Sequence, residues 1–210
     1  MNKWNVKRYI SNIFDSNCFL VTNGIYSIVI DPSVSYEIIK KDIKGKFLGV
    51  LITHGHFDHF SEIESFMKIP NVLFYCHKNA IKKLENNVYN CSKLCNMDIE
   101  IKTDERFITV SKGQIEMEKD FSIEVMETPG HTDCSICFLI DDLIFTGDFL
   151  FNGSIGRTDL YTGSSVVMNK SLQEFKNDKS LKKYYDYVIY PGHENITTLD
   201  NELKTNPYLL

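Results

Sequence analysis

The chain contains no long apolar run. Nowhere in its 210 residues do about 18 consecutive apolar positions occur, so the sequence offers no transmembrane helix. No secretory signal is visible: Lys3, Lys7 and Arg8 lie near the start, but no apolar segment of signal-peptide length follows them. An excess of positive charge is also lacking. The 23 Lys and Arg face 28 Asp and Glu, a net charge of −5, which excludes a basic nucleic-acid-binding surface as a property of the whole protein. There is no Gly/Ser- or Pro-rich linker and no internal repeat, so one domain over 1–210 is expected. Without a secretory context the six cysteines read as reduced thiols and the protein as cytoplasmic, with neither membrane nor nucleic acid as partner. Histidine is scarce, at six residues, and its placement is the most informative feature.

What remains is ordinary globular material, 43% hydrophobic and 24% charged, in a chain long enough to bury a core without a disulfide or metal to hold it. Cys18 to Thr22 and Ile25 to Ile30 read as strands around Asn23-Gly24, a type I′ hairpin signal. Ser35 caps a helix with Tyr36, Ile39 and Ile43 on one face, and Gly45 stops it. Phe47 to Ile52 is a buried strand, followed by a strand at Val72 to Cys76 and a helix from Lys78 to Leu84. Residues 85–106 are polar and poorly periodic, a loop or a helical insertion. Phe121, Ile123 and Val125 alternate with polar neighbours as a half-buried strand does. Ile136 to Ile140 and Leu143 to Thr146 form a hairpin, Val166 to Phe175 a helix, Tyr187 to Tyr190 a strand and Thr198 to Lys204 a last helix. Each half thus passes from hairpins into alternating strands and helices, the pattern of an α/β protein layered αββα.

Five of the six histidines fall in loops directly after these strands. His54, His56 and His59 form an H-x-H-x-D-H cluster with Asp58. A strand that has just ended presents His54 and His56 to one side, and the turn after it brings Asp58 and His59 to the same pocket. Neutral imidazoles and carboxylates suit zinc or iron. His131 in Gly-His-Thr, Asp148 in Thr-Gly-Asp and His193 in Pro-Gly-His occupy analogous strand-end loops, where α/β folds place their sites. His77 lies outside these motifs and reads as structural or surface, with a place at the pocket rim as the alternative. Cys134 and Cys137 are formally C-x-x-C, but strand geometry turns their thiols to opposite faces.

The order H-x-H-x-D-H, Gly-His-Thr, Thr-Gly-Asp, Pro-Gly-His resembles the metallo-β-lactamase superfamily. Within it, Gly153 to Asp159 and Thr205 to Leu209 resemble the short bacterial glyoxalase II-like, or hydroxyacylglutathione hydrolase-like, enzymes. The resemblance runs from about Cys18 to Leu209. It implies the metallo-β-lactamase fold, a four-layer αββα sandwich with the metal site at one edge. It also implies that His54, His56 and His131 hold one metal, that Asp58, His59 and His193 hold a second, and that Asp148 bridges them. Asp58 and Asp148 are then the catalytic carboxylates as well as ligands, and a hydroxide bridging the metals is the nucleophile. Two Zn²⁺ ions are the expected cofactors, with iron or a mixed pair as the alternative. Two divalent ions against Asp58, Asp148 and the hydroxide leave a positive balance suited to a developing oxyanion.

These motifs contain no obvious general acid. A thiolate, from a thiol of pKa about 8.5, leaves without one far more easily than an alkoxide or an amide nitrogen. The expected activity is therefore hydrolysis of small acyl-thioesters of the S-lactoylglutathione type, the partner being a small thioester or thiol-derived molecule. Arg157 is the candidate substrate-binding residue, for a carboxylate, with pairing to Asp159 as the competing role. The alternatives are a mononuclear iron persulfide dioxygenase, another hydrolase of the superfamily such as a lactonase, and a non-catalytic metal-binding module. Three features depart from the family pattern. Cys134 stands where a glycine is usual, Glu194-Asn195 replace the usual Gly-Pro after His193, and no helical domain supplying glutathione contacts follows Leu210, which leaves the thiol open. Oligomeric state is not legible.

Overall fold

The computed structural model describes residues 3–119, 121–183 and 186–210. The chain divides into two compact units, Met1–Val110 and Ser111–Leu210. Among the described residues no helix is long and apolar enough to cross a membrane.

Unit 1 is built on a six-stranded sheet of β1 (Asn5–Ile10), β2 (Asn17–Thr22), β3 (Tyr26–Ile30), β4 (Lys46–Leu51), β5 (Phe74–His77) and β6 (Phe107–Val110), paired in chain order. The first three strands are antiparallel; β3 to β6 run parallel. Parallel neighbours need crossover connections, and short helices supply them: α1 (Tyr36–Ile39), α2 (Ile63–Met67) and α3 (Lys78–Leu84). The interior strands are near-continuous apolar runs because both faces are covered; Ile28, Val29, Val50, Leu51 and Phe74 are all buried. Parallel pairing also sets the edge at which loops emerge. Ile30 pairs with Leu51, Phe19 with Ile30 and Ile10 with Asn17, so the ends of β1, β3 and β4 and the start of β2 share one edge.

The turn after β2 differs from the expected type I′ hairpin. Only Gly24 has positive φ (86°), and Asn23 does not. The Asn23 Oδ1 accepts from Ile25 N (3.0 Å) and Tyr26 N (2.8 Å), so a side chain organises a three-residue loop. The helix expected from Ser35 to Gly45 is shorter too, with one α-helical turn passing into a 3-10 turn at Lys40–Asp42. Residues 85–106 form a loop with one 3-10 turn at Ser92–Cys95, pinned from inside by buried Asn90, whose amide donates to Ile99 O at 2.7 Å.

Unit 2 holds the second six-stranded sheet: β7 (Gly113–Glu118), β8 (Phe121–Glu127), β9 (Ile136–Ile140), β10 (Leu143–Gly147), β11 (Val188–Pro191) and β12 (Thr197–Thr198). All neighbours are antiparallel except β10 and β11, which are parallel and joined through α4 (Ser165–Asn177). Ser164 caps α4 by accepting from Val167 N. Met168, Leu172 and Phe175, spaced three or four apart, bury one face of that helix against Ile144, Ile189 and Phe149. The chain ends on α5 (Leu199–Thr205), whose Leu199 joins the same core, as does Leu209 beyond it.

Candidate metal centre

In unit 1, β4 delivers the chain through Ile52 and Thr53 into His54-Gly55-His56, and a 3-10 turn at Phe57–His59 folds Asp58 and His59 back. All four candidate ligands are buried. The ring of His54 lies 5.0 Å from that of His56 and 4.2 Å from that of His59, centroid to centroid. His59 Nε2 is 3.6 Å from Asp58 Oδ2. Gly55 is required by close approach: a Cβ there would stand 2.6 Å from Lys83 Cβ on α3.

One carboxylate orients this loop. Asp31, buried at the end of β3, accepts from Thr53 N through Oδ1 at 2.8 Å and from Thr53 Oγ1 through Oδ2 at 2.7 Å. The same Oδ2 lies 2.9 Å from His59 Nδ1. An ionised carboxylate only accepts, so His59 Nδ1 carries the proton. Thr53 spends its single hydroxyl proton on Asp31, so its Oγ1 accepts from His54 Nδ1 at 3.0 Å. In both neutral rings the lone pair is then on Nε2, the orientation that metal-binding histidines take from outer partners. Asp31 and Thr53 are functional residues that the motif reading missed; an Asp-Pro at a strand end carries no metal signature of its own. The loop is tied further by Ser16 Oγ, which donates to Asp58 O (2.7 Å), and by Phe57 N, which donates to Asn90 O (3.1 Å).

Unit 2 brings the other three candidates together. Parallel pairing sets Gly147 beside Pro191, and Gly192 N donates to Gly147 O at 2.8 Å, so the residues that follow, Asp148 and His193, leave adjacent strand ends. Asp148 Oδ2 is 3.4 Å from His131 Nε2 and 3.6 Å from His193 Nε2. His131 Nδ1 donates to the carbonyl of Arg157 at 2.7 Å, which again leaves the neutral-ring lone pair on Nε2. Gly156 makes that approach feasible, since a Cβ there would collide with the Asp148 carbonyl. Phe151 packs edge-on to His193, with centroids 6.0 Å apart.

The Arg157 side chain is committed elsewhere. Its Nε and Nη2 donate to the two carboxylate oxygens of Asp159 at 2.7 and 2.8 Å. That fork holds the Asp159 carboxyl down to about 2, below the usual carboxylate range. Among the described residues no candidate donor group includes a cysteine, and none of the six is in a disulfide. Burial pushes the thiols of Cys18 and Cys137 up to about 12, which makes them poor thiolate ligands. His77 is buried at the start of α3, its Nδ1 accepting from Asn79 N.

The donors are thus imidazole nitrogen and carboxylate oxygen, buried except for the partly exposed His193, and His54, His59 and His131 are oriented from behind. This chemistry fits a divalent transition metal. Comparison with known proteins bears on the same point. The profile of the metallo-beta-lactamase superfamily matches residues 12–193. The chain is 28% identical over 213 residues to probable metallo-hydrolase YqgX of Bacillus subtilis, covering 99% of this chain and 97% of that protein. It is 29% identical over 203 residues to hydroxyacylglutathione hydrolase GloC of Haemophilus influenzae, covering 93% of each. Among solved structures, BLEG-1 B3 metallo-beta-lactamase is similar with a TM-score of 0.85 at 26% identity, covering 98% of this chain and 99% of that one. TTHA1623 in a di-iron-bound form is similar at 0.80 and 25%, covering 97% and 100%. A match of that extent, on a chain whose strand-end loops carry these donors, leaves one assignment: the chain belongs to the metallo-β-lactamase superfamily, with its α/β fold and a divalent metal site.

Proposed function

We propose that the protein hydrolyses small acyl-thioesters, S-lactoylglutathione being the reference for the acyl group and the bond broken. In this reading units 1 and 2 work as one functional domain. His54, His56 and His131 hold one zinc ion, Asp58, His59 and His193 a second, and Asp148 serves both. When bound, such a metal pair supplies a nucleophilic water at neutral pH and polarises a carbonyl.

The residues of the chain do the positioning. Nδ1 of His54, His59 and His131 is held by Thr53, Asp31 and the Arg157 carbonyl, so each ring presents Nε2 without rearrangement. That shared arrangement is the observation that carries the metal-dependent reading. The carboxylates of Asp58 and Asp148 offset metal charge and leave a positive balance for the oxyanion. The ligand motifs contain no obvious general acid besides the ligands, which favours a thiolate over an alkoxide. The name of the Haemophilus influenzae relative supports a thioester substrate. The loop from Gly153 to Asp159 serves through the Arg157 carbonyl, while the guanidinium closes the loop on Asp159; contact with a substrate carboxylate requires that Asp159 be displaced.

The test is kcat/KM on a matched thioester and oxygen ester with a common acyl group, with and without chelator. The reading expects the thioester to be favoured at least a hundredfold and its turnover to be lost on chelation. Equal values on the two esters would contradict it.

A further inference from the structure

The loop that follows β10 meets each of the three ligand candidates of unit 2. It starts with Asp148, sets the Phe151 ring edge-on to His193 at 6.0 Å, and brings the Arg157 carbonyl to His131 Nδ1. Between these contacts the chain turns back on itself. Phe151 N donates to Ser154 O at 2.9 Å, and Ser154 N to Phe151 O at 3.4 Å. Residues 151–154 are exposed or half-buried, so apolar burial alone gives the turn little hold.

Two fully buried polar side chains from the C-terminal segment supply the hold. Asn206, which caps the end of α5, donates through Nδ2 to Ser154 O (3.1 Å), Phe151 O (3.4 Å) and Glu202 Oε2 (2.8 Å). Glu202 reaches two segments at once. Its Oε2 accepts from Gly153 N inside the turn (2.8 Å). Its Oε1 accepts from Thr197 Oγ1 (2.7 Å), on β12, four residues beyond His193. One carboxylate therefore joins the chain leaving Asp148 to the chain leaving His193, an oxygen to each. An apolar side chain could fill the same space, but directional hydrogen bonds also fix the distance between the two segments.

We propose that Glu202 and Asn206 are positioning residues for His193. By fixing the turn at 151–154 against the chain beyond His193, they hold the Phe151 ring on the imidazole. That contact sets the 3.6 Å spacing of His193 Nε2 from Asp148 Oδ2. The segment from Thr205 to Leu209, distinctive in the sequence, thereby acquires a role at the metal centre through Asn206. This role rests on the reading above of His193 as a ligand of the second metal, and is independent of the substrate.

The test is zinc binding by Phe151→Ala, Asn206→Ala and the double variant, measured by competition with a chelator of known affinity. His193→Ala identifies the second zinc as the one it abolishes. Each single variant should raise the Kd of that zinc about fivefold or more and leave the other within about twofold. The double variant should match the stronger single variant, because both act through one contact. Phe151 is half-buried, so its truncation spares the core. Leu209→Ala is the control for lost packing: it removes a buried apolar side chain from the same segment and should lower Tm with both Kd values kept. An unchanged Kd in Phe151→Ala, independent losses that multiply in the double variant, or an equal rise in Leu209→Ala would overturn the proposal. NMR of the metal-free protein gives a second readout. The His193 ring resonances should move in Asn206→Ala in the same direction as in Phe151→Ala, and resonances unmoved in Asn206→Ala would also overturn it. Failure of the two-metal reading registers separately, as a single zinc bound by the wild type, and the metal-free spectra then decide the positioning role.

Discussion

His59 Nδ1 lies 2.9 Å from Asp31 Oδ2, and both side chains are buried. Through Thr53 the same carboxylate also fixes His54, so one residue outside the metal motifs orients two of its histidines. Asp31→Asn replaces an acceptor pair with an amide that cannot accept from both Thr53 Oγ1 and His59 Nδ1 at the amide end. The expected result is a ten- to hundredfold loss of metal affinity, the usual range for an outer partner. Competition with a chelator of known affinity measures it, and Thr53→Val, which removes the hydroxyl from His54 and Asp31 but leaves the carboxylate on His59, should lose less.

Arg157 and Asp159 form an exposed two-point fork, with the Arg157 carbonyl on His131. If the fork closes the loop, Arg157→Met and Asp159→Asn lower kcat/KM by similar factors of about three to ten. Steady-state kinetics on both variants checks this. A rise in KM confined to Arg157→Met would instead give the guanidinium a substrate carboxylate.

Glu194 adopts φ 64°, in the left-handed region, directly after His193. The family pattern places glycine at this position, so the departure seen in the sequence has a conformational cost in the structure. Glu194→Gly should stabilise the protein by about 0.5–1 kcal/mol, the relief of strain being partly offset by glycine's greater freedom when unfolded. Thermal unfolding at fixed metal concentration reads it as a small rise in Tm.

Glu202 is fully buried on α5 and ties the C-terminal segment to the loop that carries Phe151. Its carboxylate accepts from Gly153 N (2.8 Å), Asn206 Nδ2 (2.8 Å), Thr197 Oγ1 (2.7 Å) and Asn201 Nδ2 (3.0 Å). Burial alone would raise its carboxyl, and the hydrogen bonds together outweigh burial and hold it below the usual range. A group lowered on folding contributes stability that is present above its unfolded pKa of about 4.3 and is lost as pH falls through the folded value. Glu202→Gln should therefore be less stable than wild type at pH 7, with the gap closing below about pH 4. Denaturant unfolding across that range reads the convergence.

The metal half-sites were legible because histidine is rare and clustered: H-x-H-x-D-H lies where a buried apolar strand ends, a conjunction that composition does not produce by chance. The central strands β3, β4, β9 and β10 were legible because burial on both faces writes long apolar runs. The edges were not. β1 and β7 sit at the two sheet edges with mostly exposed or half-buried residues, so their patterns mix Lys, Arg and Glu with few apolar positions. Asp31 escaped for another reason. Its role depends on parallel pairing of β3 with β4, which sets Ile30 against Leu51, and no local pattern encodes that register. Asn23 took over the hairpin turn by side-chain acceptance, a choice that an Asn-Gly pair leaves open.

Metal content tests the central claim most directly, measured by elemental analysis on untagged protein from medium supplying both zinc and iron, without chelators, and paired with thioester turnover. The account predicts about two metals per chain, mostly zinc, falling toward one with turnover lost in Asp58→Ala. About one iron per chain, with oxygen consumed on a glutathione persulfide and no thioester hydrolysis, would contradict it.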